Sequence, residues 1–304
     1  MSRYISRWWR MNLFDVALSR FPNLFIPVAA TIGFMAYLQR QKHQSHERTL
    51  LEALGNPGFS PAAGAVMQLY REGKLIGDHS ILRGKNLMGA NWRKVILPEV
   101  NLEGINLRHA DLREAWLQKA NLTKADFYWA NLSEANLGST HLVRTNFMRA
   151  NLQKTILSGS RATGASFFMA HAQRAYMRGA ELDHVDFQEA DLHGADLERA
   201  RLSKSSFRDT NLARANLKRV SFRGVFMVNA NLTGANLSGA SFDNATILPD
   251  AEFVGFSEGR QALYDKYWTS DTDMTRYTDP NYIHFWQPKW VKMYDWVKKN
   301  YEED

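Results

Sequence analysis

From Leu82 to Ile247 every fifth residue is apolar and nearly always large, with no insertion or deletion along the way. Of these 34 positions, 21 are Leu and seven are Phe, and the others are Trp92, Ala162, Ala172, Met177, Met227 and Ile247. Two residues earlier, 20 of the 34 are Ala and most others are Ser, Thr or Val; the residue between is Asn or Asp at 18. Ala130-Asn131-Leu132-Ser133-Glu134 shows the rule whole. A period of five suits neither a 3.6-residue helix nor a two-residue strand. It requires a short extended segment followed by a turn, with one small and one large side chain inward and three outward. Asn and Asp beside the inward Leu favour such turns by bonding nearby backbone. Pro98 follows an inward Leu, where a turn is expected, and the next proline, Pro249, ends the array. A backbone ladder needs its N–H groups, so this distribution of proline agrees with one.

The phenylalanines set the size of a coil. Phe127, Phe147, Phe167, Phe187 and Phe207 are each 20 residues apart, and so are Phe222 and Phe242. Stacking them in columns requires four repeats per coil and a square cross-section. The 34 repeats then make about 8 coils, and at about 4.8 Å per coil the rod is roughly 40 Å long. The pattern resembles the pentapeptide-repeat family, A(D/N)LXX, over about Ser80 to Thr246. The resemblance implies an all-β solenoid, a right-handed quadrilateral β-helix. It also implies one known function: some members mimic DNA and bind topoisomerases, with strongly acidic surfaces. Residues 50–249 instead carry 24 Lys/Arg against 18 Asp/Glu, a net +6.

A solenoid needs capped ends. Residues 45–79 read as a helical N-terminal cap, two short helices parted by Gly55-Asn56-Pro57-Gly58, around the 80–249 rod. Residues 250–304 form an aromatic-rich tail. Its stretch from Asp271 to Pro280 resembles the tail after the repeats in some bacterial family members, and Pro288 opens a terminal helix with Trp290, Met293, Tyr294 and Val297 on one face. Residues 1–44 read as an amphipathic segment and a transmembrane anchor at about 21–38. Phe21 to Leu38 holds 18 mostly apolar residues without a charge. As a helix that stretch spans about 27 Å, close to a hydrocarbon core. A cleaved signal peptide and a buried helix compete with this reading. The flanking Arg3, Arg7, Arg10 and Arg20 nearly balance Arg40, Lys42 and Arg48, so the orientation stays open.

The chain has no cysteine, which excludes disulfides, thiolate metal sites and a cysteine nucleophile. No phosphate loop, H-E-x-x-H or G-x-S-x-G motif occurs. His43 and His46 lack a third ligand, and Asp271, Asp273 and Asp279 lack the glycine and glutamate of a calcium loop. No enzyme activity, cofactor or metal is expected. What remains is surface. The 20-residue period stacks Tyr128, Met148 and Phe168 on the phenylalanine wall, beside Trp129, Arg149 and Met169, as a contact patch. Trp116, Ile156 and Tyr176 form a weaker column opposite. The expected function is a membrane-anchored, non-enzymatic scaffold binding a partner protein, with a homo-oligomer also open. Its rivals are a subunit of a larger membrane complex and a nucleic-acid-binding or topoisomerase-modulating protein. Outward Lys119, Lys124, Arg144, Arg149, Lys154, Arg214, Lys218, Arg219 and Arg223 would serve the nucleic-acid reading.

Overall fold

The backbone of one repeat accounts for all five of its N–H groups. Ala130 donates to the Phe127 carbonyl at 2.9 Å and closes a four-residue turn. Asn131 donates back to Ala110 at 2.9 Å, while Leu132 and Glu134 donate forward to Asn151 and Gln153 at 2.7 and 2.9 Å. The fifth, Ser133, donates to the Asn131 side-chain oxygen at 3.1 Å. Every Asn or Asp at this position from Asn86 to Asn236 accepts the N–H two residues on, as in Asn86 to Met88 and Asn236 to Ser238. The repeat therefore leaves no orphan donor, which a largely buried backbone demands.

The computed structural model describes residues 62–242, together with 45, 48, 49, 246, 278–281 and 286. The chain divides into two units, Met1–Glu52 and Ala53–Asp304, and the rod belongs to the second. In the first, Thr49 Oγ1 donates to the Ser45 carbonyl at 2.9 Å. The segment from Phe21 to Leu38 lies outside the described residues. Among those described, no helix is long and apolar enough to cross a membrane.

Successive coils pair in parallel, and each bridge joins residues 20 apart, from Asn86 with Asn106 to Ser221 with Ser241. Four walls follow. The phenylalanine wall carries Leu87, Leu107, the Phe127–Phe207 column and Met227; half a coil away, the opposite wall carries Leu97, Leu117, Leu137, Leu157, Met177 and Leu197. Each corner needs one residue in the left-handed region. Every fifth residue from Gly84 to Gly239 has positive φ, and 22 of them are not glycine. That conformation costs an L-residue roughly 1–2 kcal/mol. It persists because the same residue's N–H is tied to the next coil, and because inward burial offsets the strain.

The interior is filled by the two inward columns. Leu, Phe and Met at the large position are buried from Leu82 to Leu232, and the Ala beside them are buried too. Where Thr replaces that Ala, the hydroxyl finds a carbonyl: Thr145 donates to Leu122 at 2.8 Å and Thr210 to Phe187 at 2.7 Å. The smaller Ser160 is buried there without a hydrogen-bond partner for its hydroxyl. The phenylalanine rings stack at 4.8–5.2 Å along the column. Phe127 and Phe147 lie within 4° of parallel, but Phe167 turns 27° and 26° from its two neighbours. Its own coil carries Ala162 and Ala172 on the adjoining walls, where other coils carry larger side chains.

A helix sits at the N-terminal end. In α1 (Ala62–Arg71), Ala65, Val66 and Leu69 share the buried face. The helix stops in a Schellman motif: Lys74 donates to Leu69 at 3.0 Å and left-handed Gly73 donates to Tyr70 at 2.9 Å. The chain then meets donors of the first coil. Asn101 N–H bonds the Leu75 carbonyl at 2.8 Å, Ile81 bonds Lys74 at 3.0 Å, and Ile96 N–H points at Met67 Sδ, 3.4 Å away. At the other end Gly234 N–H, which would face the next coil, donates to Thr278 at 2.6 Å. Thr278 thus supplies the acceptor for that N–H.

Candidate protein-interaction surfaces

On each wall three residues per repeat face outward: the one before the inward large residue and the two after it. On the phenylalanine wall the first outward column is mostly the turn-forming Asn, Asp and Ser. The second column holds Tyr128, Met148 and Phe168, and the left-handed corner holds Trp129, Arg149 and Met169. The coil period brings these residues together as the sequence suggested. They are not equally open. Tyr128, Met148, Phe168 and Met169 are half-buried, while Trp129 is exposed. Cations cover part of the patch. The Arg108 guanidinium lies 4.6 Å from the Tyr128 ring centre, and Arg149 lies 5.7 Å from that of Trp129. His109 meets Tyr128 edge-on at 5.9 Å.

The opposite wall is the more open one. Its first outward column runs Ile96, Trp116, Asn136, Ile156, Tyr176, joined by consecutive parallel bridges. The four apolar members are 52%, 53%, 38% and 48% exposed. Ile96 escaped the sequence reading, although adding 20 to its number gives Trp116. The stronger signal was the departure from rule. These residues occupy the position where Asn or Asp would accept a backbone N–H. Without that acceptor, the N–H groups of Gln118, Ser158 and Arg178 find no protein partner among the described residues. Pro98, two residues after Ile96, has no N–H to satisfy.

Charges distribute unevenly over the corners. Lys119 pairs with Glu99 at 3.3 Å and Lys154 with Glu134 at 2.8 Å. One corner column carries Lys124, Arg144, His184 and Lys204, no carboxylate, and no ion pair among the described residues. Elsewhere Arg113 bonds Asp111 at 2.7 Å and holds its carboxyl below the usual range, against the opposing effect of partial burial. At Glu198 burial pushes the carboxyl up, but Arg178 outweighs it and the net shift is down. Such pairs belong to a solvated wall. No group of His, Asp and Glu able to hold a metal occurs among the described residues. His43, His46, Asp271 and Asp273 lie outside them, and Asp279 accepts the Asn281 N–H at 2.8 Å in a local turn.

A family model described as pentapeptide repeats matches in eight copies, over residues 86–123, 130–167, 173–212 and 210–247. No curated protein matches the chain. Among solved structures, HetL of the cyanobacterium Nostoc sp. is a pentapeptide repeat protein involved in heterocyst differentiation regulation. It is 30% identical with a TM-score of 0.44, over 62% of this chain and 98% of that one. Full-length QnrB1, a plasmid-mediated fluoroquinolone resistance protein, is 16% identical with a TM-score of 0.35, over 54% and 91%. A pentapeptide repeat protein of the Arabidopsis thaliana thylakoid lumen is 25% identical with a TM-score of 0.22, over 38% and 74%.

Proposed function

Because the chain belongs to the pentapeptide-repeat family, we propose that it is a non-enzymatic interaction module whose rigid walls engage a partner protein. The observation that carries this reading is the placement of large apolar side chains outside a filled interior. Trp129 stands exposed at a corner, beside the half-buried Tyr128, Met148, Phe168 and Met169. Aromatic residues and Met are enriched at protein contacts. The rod, 80–249, is the binding body; 45–79 and 250–304 close its ends; 1–44 tethers it to a membrane through about 21–38. The tether rests on the uncharged apolar run from Phe21 to Leu38 between Arg20 and Arg40.

The test is crosslinking and pull-down of the full chain from solubilised membranes, against a chain lacking residues 1–40 and a Met148→Asp, Phe168→Asp variant. The proposal expects a specific partner that the double variant loses while its circular dichroism stays unchanged. Unaltered recovery would count against the phenylalanine wall. A second reading, nucleic-acid binding, is favoured by one observation, the carboxylate-free corner of Lys124, Arg144, His184 and Lys204. It predicts binding that falls steeply with salt and weakens in a Lys124→Glu, Arg144→Glu variant.

A further inference from the structure

The repeat has 16 positions without the turn-forming Asn or Asp, and six of these hold a bulky apolar residue: Ile81, Ile96, Trp116, Ile156, Tyr176 and Phe226. Four of the six fall in one column of one wall, and all four are more than a third exposed. The stripe gives up backbone hydrogen bonds and keeps apolar surface in water, two costs that folding alone does not explain. It is a surface made for contact.

Its order indicates the contact. Reading along the rod gives Ile, Trp, Asn, Ile, Tyr, one residue per coil, centred on Asn136. Reversing the order about Asn136 puts Ile96 against Tyr176 and Trp116 against Ile156, so each aromatic ring meets an aliphatic side chain. The next column behaves alike. Gln118 falls against Ser158, and Pro98 against Arg178, with Gly138 at the centre. At the corner Glu99 and Lys119, bonded to each other at 3.3 Å, fall against Gly179 and Gly159. In these two columns the larger member of each pair meets a smaller one. Asn136 adds a polar pair. Its Oδ1 accepts the Gly138 N–H at 3.0 Å, but its Nδ2 has no partner among the described residues. In other coils such an amide can bond the residue one coil back, as Asn121 does with Asn101 at 3.1 Å, although not every Asn of the array does so. Here the residue one coil back is Trp116. A single polar residue in an apolar seam is a known device for fixing register.

We propose that this wall binds a second copy of the same chain, antiparallel, about a two-fold axis lying in the wall at Asn136. The interface is isologous, so each residue pair occurs twice and Asn136 meets itself. Ile96 and Tyr176 stand four coils apart, about 19 Å, so the seam is short for a permanent dimer and suits a reversible one. It leaves the phenylalanine wall of both copies facing outward.

The absence of native cysteine makes the test direct. In the full, solubilised chain Asn136→Cys supplies the sole thiol, and mild oxidation should join two copies covalently. Asn216→Cys, in the same column four coils away, should give no more crosslink than background. A mixture of Trp116→Cys and Ile156→Cys chains should crosslink to each other faster than either does to itself. Equal crosslinking at Asn136 and Asn216, or none at Asn136, overturns the proposal. A second measurement covers failure of the cysteine variants to fold. By light scattering the wild-type chain should have twice the protomer mass at high concentration, and Trp116→Asn, Ile156→Asn should halve it. A monomeric wild type overturns the proposal, including one whose stripe is instead buried on lipid vesicles.

Discussion

The rings of Phe127 and Phe147, separated by 20 residues of chain, stack 5.2 Å apart and 4° from parallel. That pair states the whole geometry of the interior: equivalent positions of successive coils lie directly over each other. Removing a ring from the middle of the column leaves a hole that the square backbone cannot close. Phe167→Ala should therefore cost about 3–5 kcal/mol, and Phe167→Leu less than about 2, by chemical denaturation. Equal costs would mean that the stack is not a packed column.

The turn-forming Asn should show up as stability on the outside. Asn211 accepts the Ala213 N–H at 3.2 Å and the Asn231 amide at 3.1 Å, and donates to Asp191 at 3.0 Å. Asn211→Ala should lose about 1–3 kcal/mol, chiefly from the N–H left without an acceptor. A neutral result would show that solvent satisfies that N–H at no cost.

The architecture was legible in the sequence for a definite reason. A Leu or Phe in the interior has no alternative site, so the period of five and the phenylalanine spacing transmit directly into coils. The outside was less legible. Tyr128, Met148 and Phe168 looked like the open patch, but side chains directly after the inward residue lie over one another at the coil spacing and half-bury themselves. Ile96, Trp116, Ile156 and Tyr176 are the more open residues, and the signal for them was their departure from the Asn or Asp of the repeat. The left-handed corners were not foreseen, since residues as different as Lys204, Glu189 and Trp129 share them. Their conformation is set by the coil, not by their own preference.

Those corners give a clean backbone test. Gly104 has φ +67, and a Cβ there would meet nothing nearer than Gly84 Cα at 3.8 Å. Space is therefore not the obstacle, and Gly104→Val should cost about 1–2 kcal/mol from conformation alone. Gly104→Asn should cost less, since Asn tolerates this region. The comparison is read from melting midpoints.

Acid should weaken the rod partly through Asp111. Its folded-state pKa lies below the ordinary value because Arg113 bonds the carboxylate. A depressed carboxyl stabilises above its unfolded pKa, about 3.9, and that contribution is lost as pH falls through the folded value. Asp111→Asn keeps an oxygen for the Arg113 N–H but cannot titrate, so its stability should fall less steeply between pH 5 and about 3. Identical slopes in denaturant titrations would remove Asp111 from the account.

The inward columns hold the fold, and the apolar exceptions on the opposite wall serve contact. Denaturing the Trp116→Asn, Ile156→Asn variant at a concentration where both proteins are monomeric tests this most directly. Each Asn restores the acceptor that the repeat is built around, so the variant should equal or exceed the wild type, by up to about 1 kcal/mol per site. A loss of about 2 kcal/mol or more would show those side chains to be part of the rod's own packing, and would contradict the account.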